Sequence, residues 1–89
     1  MKLTLTNLEI ARMIDLSAVQ AQDDDDYIRL LVNCAKKYCC VAVISMPSRV
    51  ALTKELIGED SGILLGGAIG FPSGGQATSA KVFETQELL

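Results

Sequence analysis

Three short apolar runs constrain this chain more than anything else in it: Met13 to Leu16, Cys39 to Ser45 and Ile63 to Ile69. The second and third are apolar almost throughout rather than alternating, the pattern of strands covered on both faces. Stretches with helical spacing lie between and after them. Parallel strands cannot be joined by a tight turn and need a crossover long enough to hold a helix. Strands that alternate with helices therefore predict a parallel sheet clothed by helices, of the α/β class.

The helical stretches carry their own end signals. Thr6-Asn7-Leu8-Glu9 fits a capping box, in which the threonine hydroxyl and the glutamate satisfy the first free amides of a short helix. Ser17 to Gln22 reads as a polar connection. Tyr27, Ile28, Leu31, Val32, Cys34 and Ala35 then recur at helical spacing, and Lys36-Lys37 suit the negative end of the helix dipole. Pro47 stands at the join to the next helix, where its missing amide costs nothing. Val50, Ala51, Lys54, Leu56 and Ile57 carry that helix, and Gly58 stops it. A last helix is predicted from about Thr78 to Leu89, capped by Thr78 or Ser79.

The run Asp23 to Asp26 raises the question of calcium. An EF-hand loop needs its acids on alternating positions, a central glycine and a terminal glutamate. Here the acids are contiguous and open a helix, where each negative charge gains about 0.3–1 kcal/mol from the dipole. The reading is helix capping, with no metal. The three cysteines, Cys34, Cys39 and Cys40, form no C-x-x-C pair, and the chain has no histidine to complete a zinc site. Reduced, buried thiols in a cytoplasmic protein are expected.

Charge and length exclude further classes. A formal charge of −3 without any Lys/Arg cluster argues against nucleic acid or an anionic membrane as partner. No basic start leads into an apolar stretch with a cleavage site, so no signal peptide is expected. The apolar runs are far shorter than the ~20 residues of a membrane span. Hydrophobic residues make up 49% of the chain and aromatics 4%, so the core is aliphatic.

Three parallel strands leave two bare edges and an uncovered apolar face. A (β/α)8 barrel takes about 250 residues. The 89 residues read as a single partial domain, 1–89: an N-terminal helix and the first three strand–helix units of such a barrel.

The stretch Ala68 to Val82, AIGFPSGGQATSAKV, leaves the third strand at its carboxyl end, where ligands bind in α/β folds. Gly66, Gly67 and Gly70 permit close approach in a crowded interior, and Gly74-Gly75 lets the loop turn. Phe71 is either an apolar wall over a pocket or a packing residue in a plain strand-to-helix turn. A phosphate-loop reading fails, because the order G-x-x-x-x-G-K-[ST] is absent and Lys81 lies well into the helix. No G-x-G-x-x-G joins the first strand to its helix either.

These residues resemble a known family. GFPSGGQATSAKVFETQELL is similar to the third strand exit and helix of deoxyribose-phosphate aldolases, which carry G-F-P-x-G and then an A-T-x-x-K-x-x-E type helix. IDLSAVQAQDDDDYIRLLVNCAKKY resembles the family's I-D-x-T-x-L-K-P strand with its acidic turn and first helix. VAVISMPSRVALTKELIG resembles its A-A-V-C-V-N-P strand and the following helix. The resemblance covers nearly the whole chain from about Ile14.

The resemblance implies a (β/α)8 barrel that joins acetaldehyde and glyceraldehyde 3-phosphate through a lysine Schiff base, without metal or cofactor, in the cytoplasm. It implies substrate-binding roles for Asp15, in the polar network at the end of strand one, and for Ser17, where the family has threonine. It also implies roles for Val19, where a leucine lines the pocket, and Phe71, in the apolar wall. Gln20 departs from the family's lysine, and Ile44, Ser45 and Met46 from its Cys-Val-Asn before Pro47. The family's Schiff-base lysine lies on a later strand. Lys36, Lys37, Lys54 and Lys81 are expected on polar helix positions and Lys2 at a terminus, so no catalytic residue is expected within the chain. Two alternatives stand beside this reading: a non-catalytic fragment or relative that associates with itself as a homo-oligomer, and another lyase or isomerase barrel.

Overall fold

A computed structural model describes residues 4–89. Helix α1 (Asn7–Ala11) starts as the capping box predicts: the Thr6 hydroxyl accepts from the Glu9 amide at 3.1 Å, and the Glu9 carboxylate accepts from the Thr6 amide at 3.3 Å. Met13 and Ile14 donate their amides to the carbonyls of Ile10 and Ala11, both at 3.0 Å. They therefore close the turn after α1 and do not open a strand. Strand β1 is Asp15–Ala18, two residues later than predicted. Ser17 thus belongs to the strand rather than to the polar connection, and Asp15 is the strand's first residue rather than its last.

Helix α2 (Asp25–Tyr38) begins at Asp24, whose carboxylate accepts from the Tyr27 amide at 2.9 Å. Its neighbours have separate tasks. Asp23 accepts from the Gln20 amide at 3.0 Å, and Asp25 pairs with Arg49 at 3.0 Å. Ile28, Leu31, Val32 and Ala35 form the buried stripe. Cys39 ends the helix in the left-handed region, with φ of 59°. That takes it out of the second strand and leaves it exposed, while Cys34 is half-buried and Cys40 buried. The three thiols are free, but only one meets the expectation of burial.

Strand β2 (Ala42–Ser45) leads through a single 3-10 turn, Pro47–Arg49, into α3 (Val50–Ile57), which Gly58 stops at φ 73°. Strand β3 (Leu64–Gly67) and helix α4 (Thr78–Leu88) follow. Ala77 precedes α4 with no side-chain cap, so neither Thr78 nor Ser79 has the predicted capping role. The sheet is parallel in the order β1-β2-β3.

Two rows cross one face of the sheet: Asp15–Ala42–Leu64 and Ser17–Ile44–Gly66. The alternate residues, among them Ala18, Val43 and Ser45, turn to the helices and are buried with Ile28, Val32, Ala35 and Ile57 of α2 and α3. Ser45 and Thr53 are both 0% exposed, and their hydroxyl oxygens lie 3.0 Å apart. Val43 is fully buried while Leu64, on the other face, is 63% exposed. The prediction of strands covered on both faces therefore holds for one face only. The reason is that α2 and α3 pack on the same side. Among the described residues each outer strand has a single neighbour.

Candidate functional site

Two of the four predicted residues lie on the uncovered inner face and two beyond the strand ends. Asp15 and Ser17 lie on it two residues apart along β1, both exposed. Val19 follows the carboxyl end of β1 and is half-buried. Phe71 lies beyond the carboxyl end of β3, 39% exposed, with β2 between the two. The structure thus sets Val19 and Phe71 at one end of the sheet and Asp15 at the other. The Asp15 carboxylate accepts no hydrogen bond from the described residues.

Sequence reasoning missed the floor between them. Ile44 stands beside Ser17 in the register, and Gly66 stands beside Ile44; a Cβ on Gly66 would lie 2.8 Å from Ile44 Cγ1. Alternation along β2 was the available signal, since it separates Ala42 and Ile44 from the buried Val43 and Ser45.

The loop that carries Phe71 is tied to α4. Gly70 is buried with φ of 65°, a conformation that favours glycine. The Lys81 ammonium donates to the Gly74 carbonyl at 2.8 Å, and the Gln76 side-chain amide donates to the Phe71 carbonyl at 3.4 Å. Lys81 is therefore half-buried and engaged, not on the open polar position the sequence suggested. Lys36 donates to the Leu56 carbonyl at 2.7 Å. Lys37 lies 5.2 Å from the centre of the Tyr38 ring, and Lys2 is outside the described residues. A groove of about 580 Å³, which includes Arg12, Lys36, Cys39 and Asp60 in its lining, lies by the amino ends of β2 and β3, away from Phe71.

Parallel strands in chain order, helices on one side and a bare inner face make this chain a sector of a TIM-type barrel. Comparisons show which proteins the sector is similar to. A deoxyribose-phosphate aldolase of Sinorhizobium medicae is 36% identical over 85 residues, covering 96% of this chain and 34% of its own length. One of Klebsiella pneumoniae is 33% identical over 86 residues, covering 94% of this chain and 34% of its own. The solved structure of an aldolase of this name from Aeropyrum pernix, described as a unique tetramer, superposes with a TM-score of 0.76 at 24% identity, over 93% of this chain and 35% of that one. A Coccidioides immitis structure described as a candidate member superposes with a TM-score of 0.87 at 23% identity, over 98% of this chain and 34% of that one. No family model matches the chain. The chain is homologous to the deoxyribose-phosphate aldolases and spans about a third of the length of the curated relatives it matches. Among the described residues no helix is long and apolar enough to cross a membrane.

Proposed function

We propose that this chain supplies the first part of the substrate pocket of a cytoplasmic deoxyribose-phosphate aldolase, a lyase that cleaves 2-deoxyribose 5-phosphate to acetaldehyde and glyceraldehyde 3-phosphate. The observation that carries the reading is the inner face, where Asp15 and Ser17 project from β1 on the side that no helix covers among the described residues. In this reading Asp15 and Ser17 give polar contacts to the substrate chain, and Val19 and Phe71 wall its apolar side. The nucleophile is a lysine outside these 89 residues. A Schiff-base lysine must be desolvated or set beside another cation to be reactive near neutral pH. Lys36 and Lys81 instead give their ammonium groups to backbone carbonyls. The 89 residues alone are therefore inactive, and the reaction needs no metal or cofactor. The tetrameric Aeropyrum pernix relative supports a homo-oligomer as the working form.

Fragment complementation tests the reading. The chain is mixed with the remaining portion of the Sinorhizobium medicae relative, and acetaldehyde release from 2-deoxyribose 5-phosphate is followed. Activity is expected with the pair and with neither part alone. Asp15→Asn and Phe71→Ala should each lower it about tenfold or more, the scale of one lost transition-state contact. Two outcomes count against the reading: activity indifferent to both substitutions, or rapid borohydride trapping of acetaldehyde on one lysine of the isolated chain.

A further inference from the structure

We infer that Ile44, held against Gly66, is the specificity-determining residue of the site: it admits a short, unbranched aldehyde beside Ser17 and excludes a longer one. The inference rests on the aldolase reading above. The row Ser17–Ile44–Gly66 is the last inner-facing row within the strands at their carboxyl ends, where barrels bind their substrates. Its side chains are a hydroxymethyl group, a sec-butyl group and a hydrogen, so Ile44 alone gives the row its bulk.

Gly66 shows where that bulk lies. Its φ is outside the left-handed region, so the backbone makes no demand for glycine there. Glycine inside a strand weakens it. What Gly66 supplies is room. A Cβ on it would lie 2.8 Å from Ile44 Cγ1 and 3.6 Å from Ile44 Cδ1, so the ethyl arm of Ile44 fills the space a side chain would take. The arm is thereby laid toward β3, away from Ser17 on β1.

Ile44 thus makes a low apolar floor beside the Ser17 hydroxyl. A substrate carbon over β2 meets this floor, while its polar neighbour faces Ser17. In a close apolar pocket one methylene changes discrimination about 10–200-fold, so the height of one side chain is enough to sort aldehydes by length. The pairings involved lie between β1 and β2 and between β2 and β3, and among the described residues β2 has a neighbour on each side. No open edge enters the argument.

The test joins glyceraldehyde 3-phosphate to acetaldehyde or to propanal, with the chain combined with the remaining portion of the Sinorhizobium medicae relative, and compares kcat/KM for the two. The ratio is taken on one preparation, so a lowered folded fraction cancels. The unsubstituted pair is expected to prefer acetaldehyde. Ile44→Ala should reduce that preference about tenfold or more. Ile44→Val, which removes one methyl, should reduce it by a smaller factor, and it decides should the alanine variant fail to fold. Gly66→Ala pushes the ethyl arm toward Ser17 and should shift the preference further toward acetaldehyde. An active pair whose preference is indifferent to both Ile44 variants would overturn the inference and leave the aldolase reading standing, as would a shift toward propanal in Gly66→Ala. A pair inactive with both aldehydes would remove the aldolase reading and the inference with it.

Discussion

Lys81 and Gly74 are joined by a 2.8 Å hydrogen bond that ties α4 to the middle of the turn after β3. The stem of the same side chain lies against Gly70, where an added Cβ would sit 3.0 Å from Lys81 Cδ. One lysine therefore touches the loop on either side of Phe71. Lys81→Met keeps the stem and removes the donor. It is expected to speed exchange of the Gly74 amide about fivefold, equivalent to about 1 kcal/mol. Lys81→Arg should recover part of the protection, with helix content by circular dichroism unchanged in both.

Gly66 and Gly67 are adjacent but should respond differently to alanine. A Cβ on Gly66 meets Ile44 Cγ1 at 2.8 Å, close to that side chain's branch point, so the whole isoleucine must move. A Cβ on Gly67 meets Leu88 Cδ1 at 2.5 Å, the tip of a side chain that can swing away. Gly66→Ala is expected to cost about 1 kcal/mol or more by overpacking. For Gly67→Ala the backbone gain of about 0.5–1 kcal/mol over glycine in a strand should leave stability nearly unchanged. Urea unfolding of the two variants checks the contrast.

The buried hydroxyls of Ser45 and Thr53 hold α3 to β2. Thr53 has one hydrogen to give and lies 2.8 Å from the Arg49 carbonyl; with the proton there, it accepts from Ser45. Thr53→Val strands the Ser45 hydroxyl in the core, at a cost of about 1–3 kcal/mol. Ser45→Ala combined with Thr53→Val should cost less than the two single changes together, because no orphaned group remains. Thermal melting of the three variants measures the coupling.

Among the consecutive aspartates, Asp24 should matter most. Asp24→Ala removes the N-cap of α2 and is expected to cost about 1 kcal/mol. Arg49→Ala breaks an ion pair whose side chains are 35% and 62% exposed, and should cost no more than about 0.5 kcal/mol. Denaturant midpoints of the two variants decide.

Element types were legible in the residues wherever end signals and apolar periodicity agreed, as at Thr6–Glu9, Asp24 and Gly58. Strand limits were not. Met13 and Cys39 look like strand residues because apolar side chains also close helices, and only the backbone shows that both belong to helix ends. Of the candidate site, the sequence offers residues but not their arrangement. Motif resemblance pointed to Asp15, Ser17, Val19 and Phe71, but the row through Ser17, Ile44 and Gly66 exists only once β1, β2 and β3 are in register. The reach of Lys81 back to Gly74 was hidden as well, since seven residues of separation reveal nothing about a loop that folds back on its helix.

The strands stand side by side in the order of synthesis. A nascent chain leaving the ribosome can therefore lay β2 on β1 and β3 on β2 as each emerges. The phenylalanine loop is the exception: it emerges before the lysine that latches it, and so stays loose until α4 has cleared the exit tunnel.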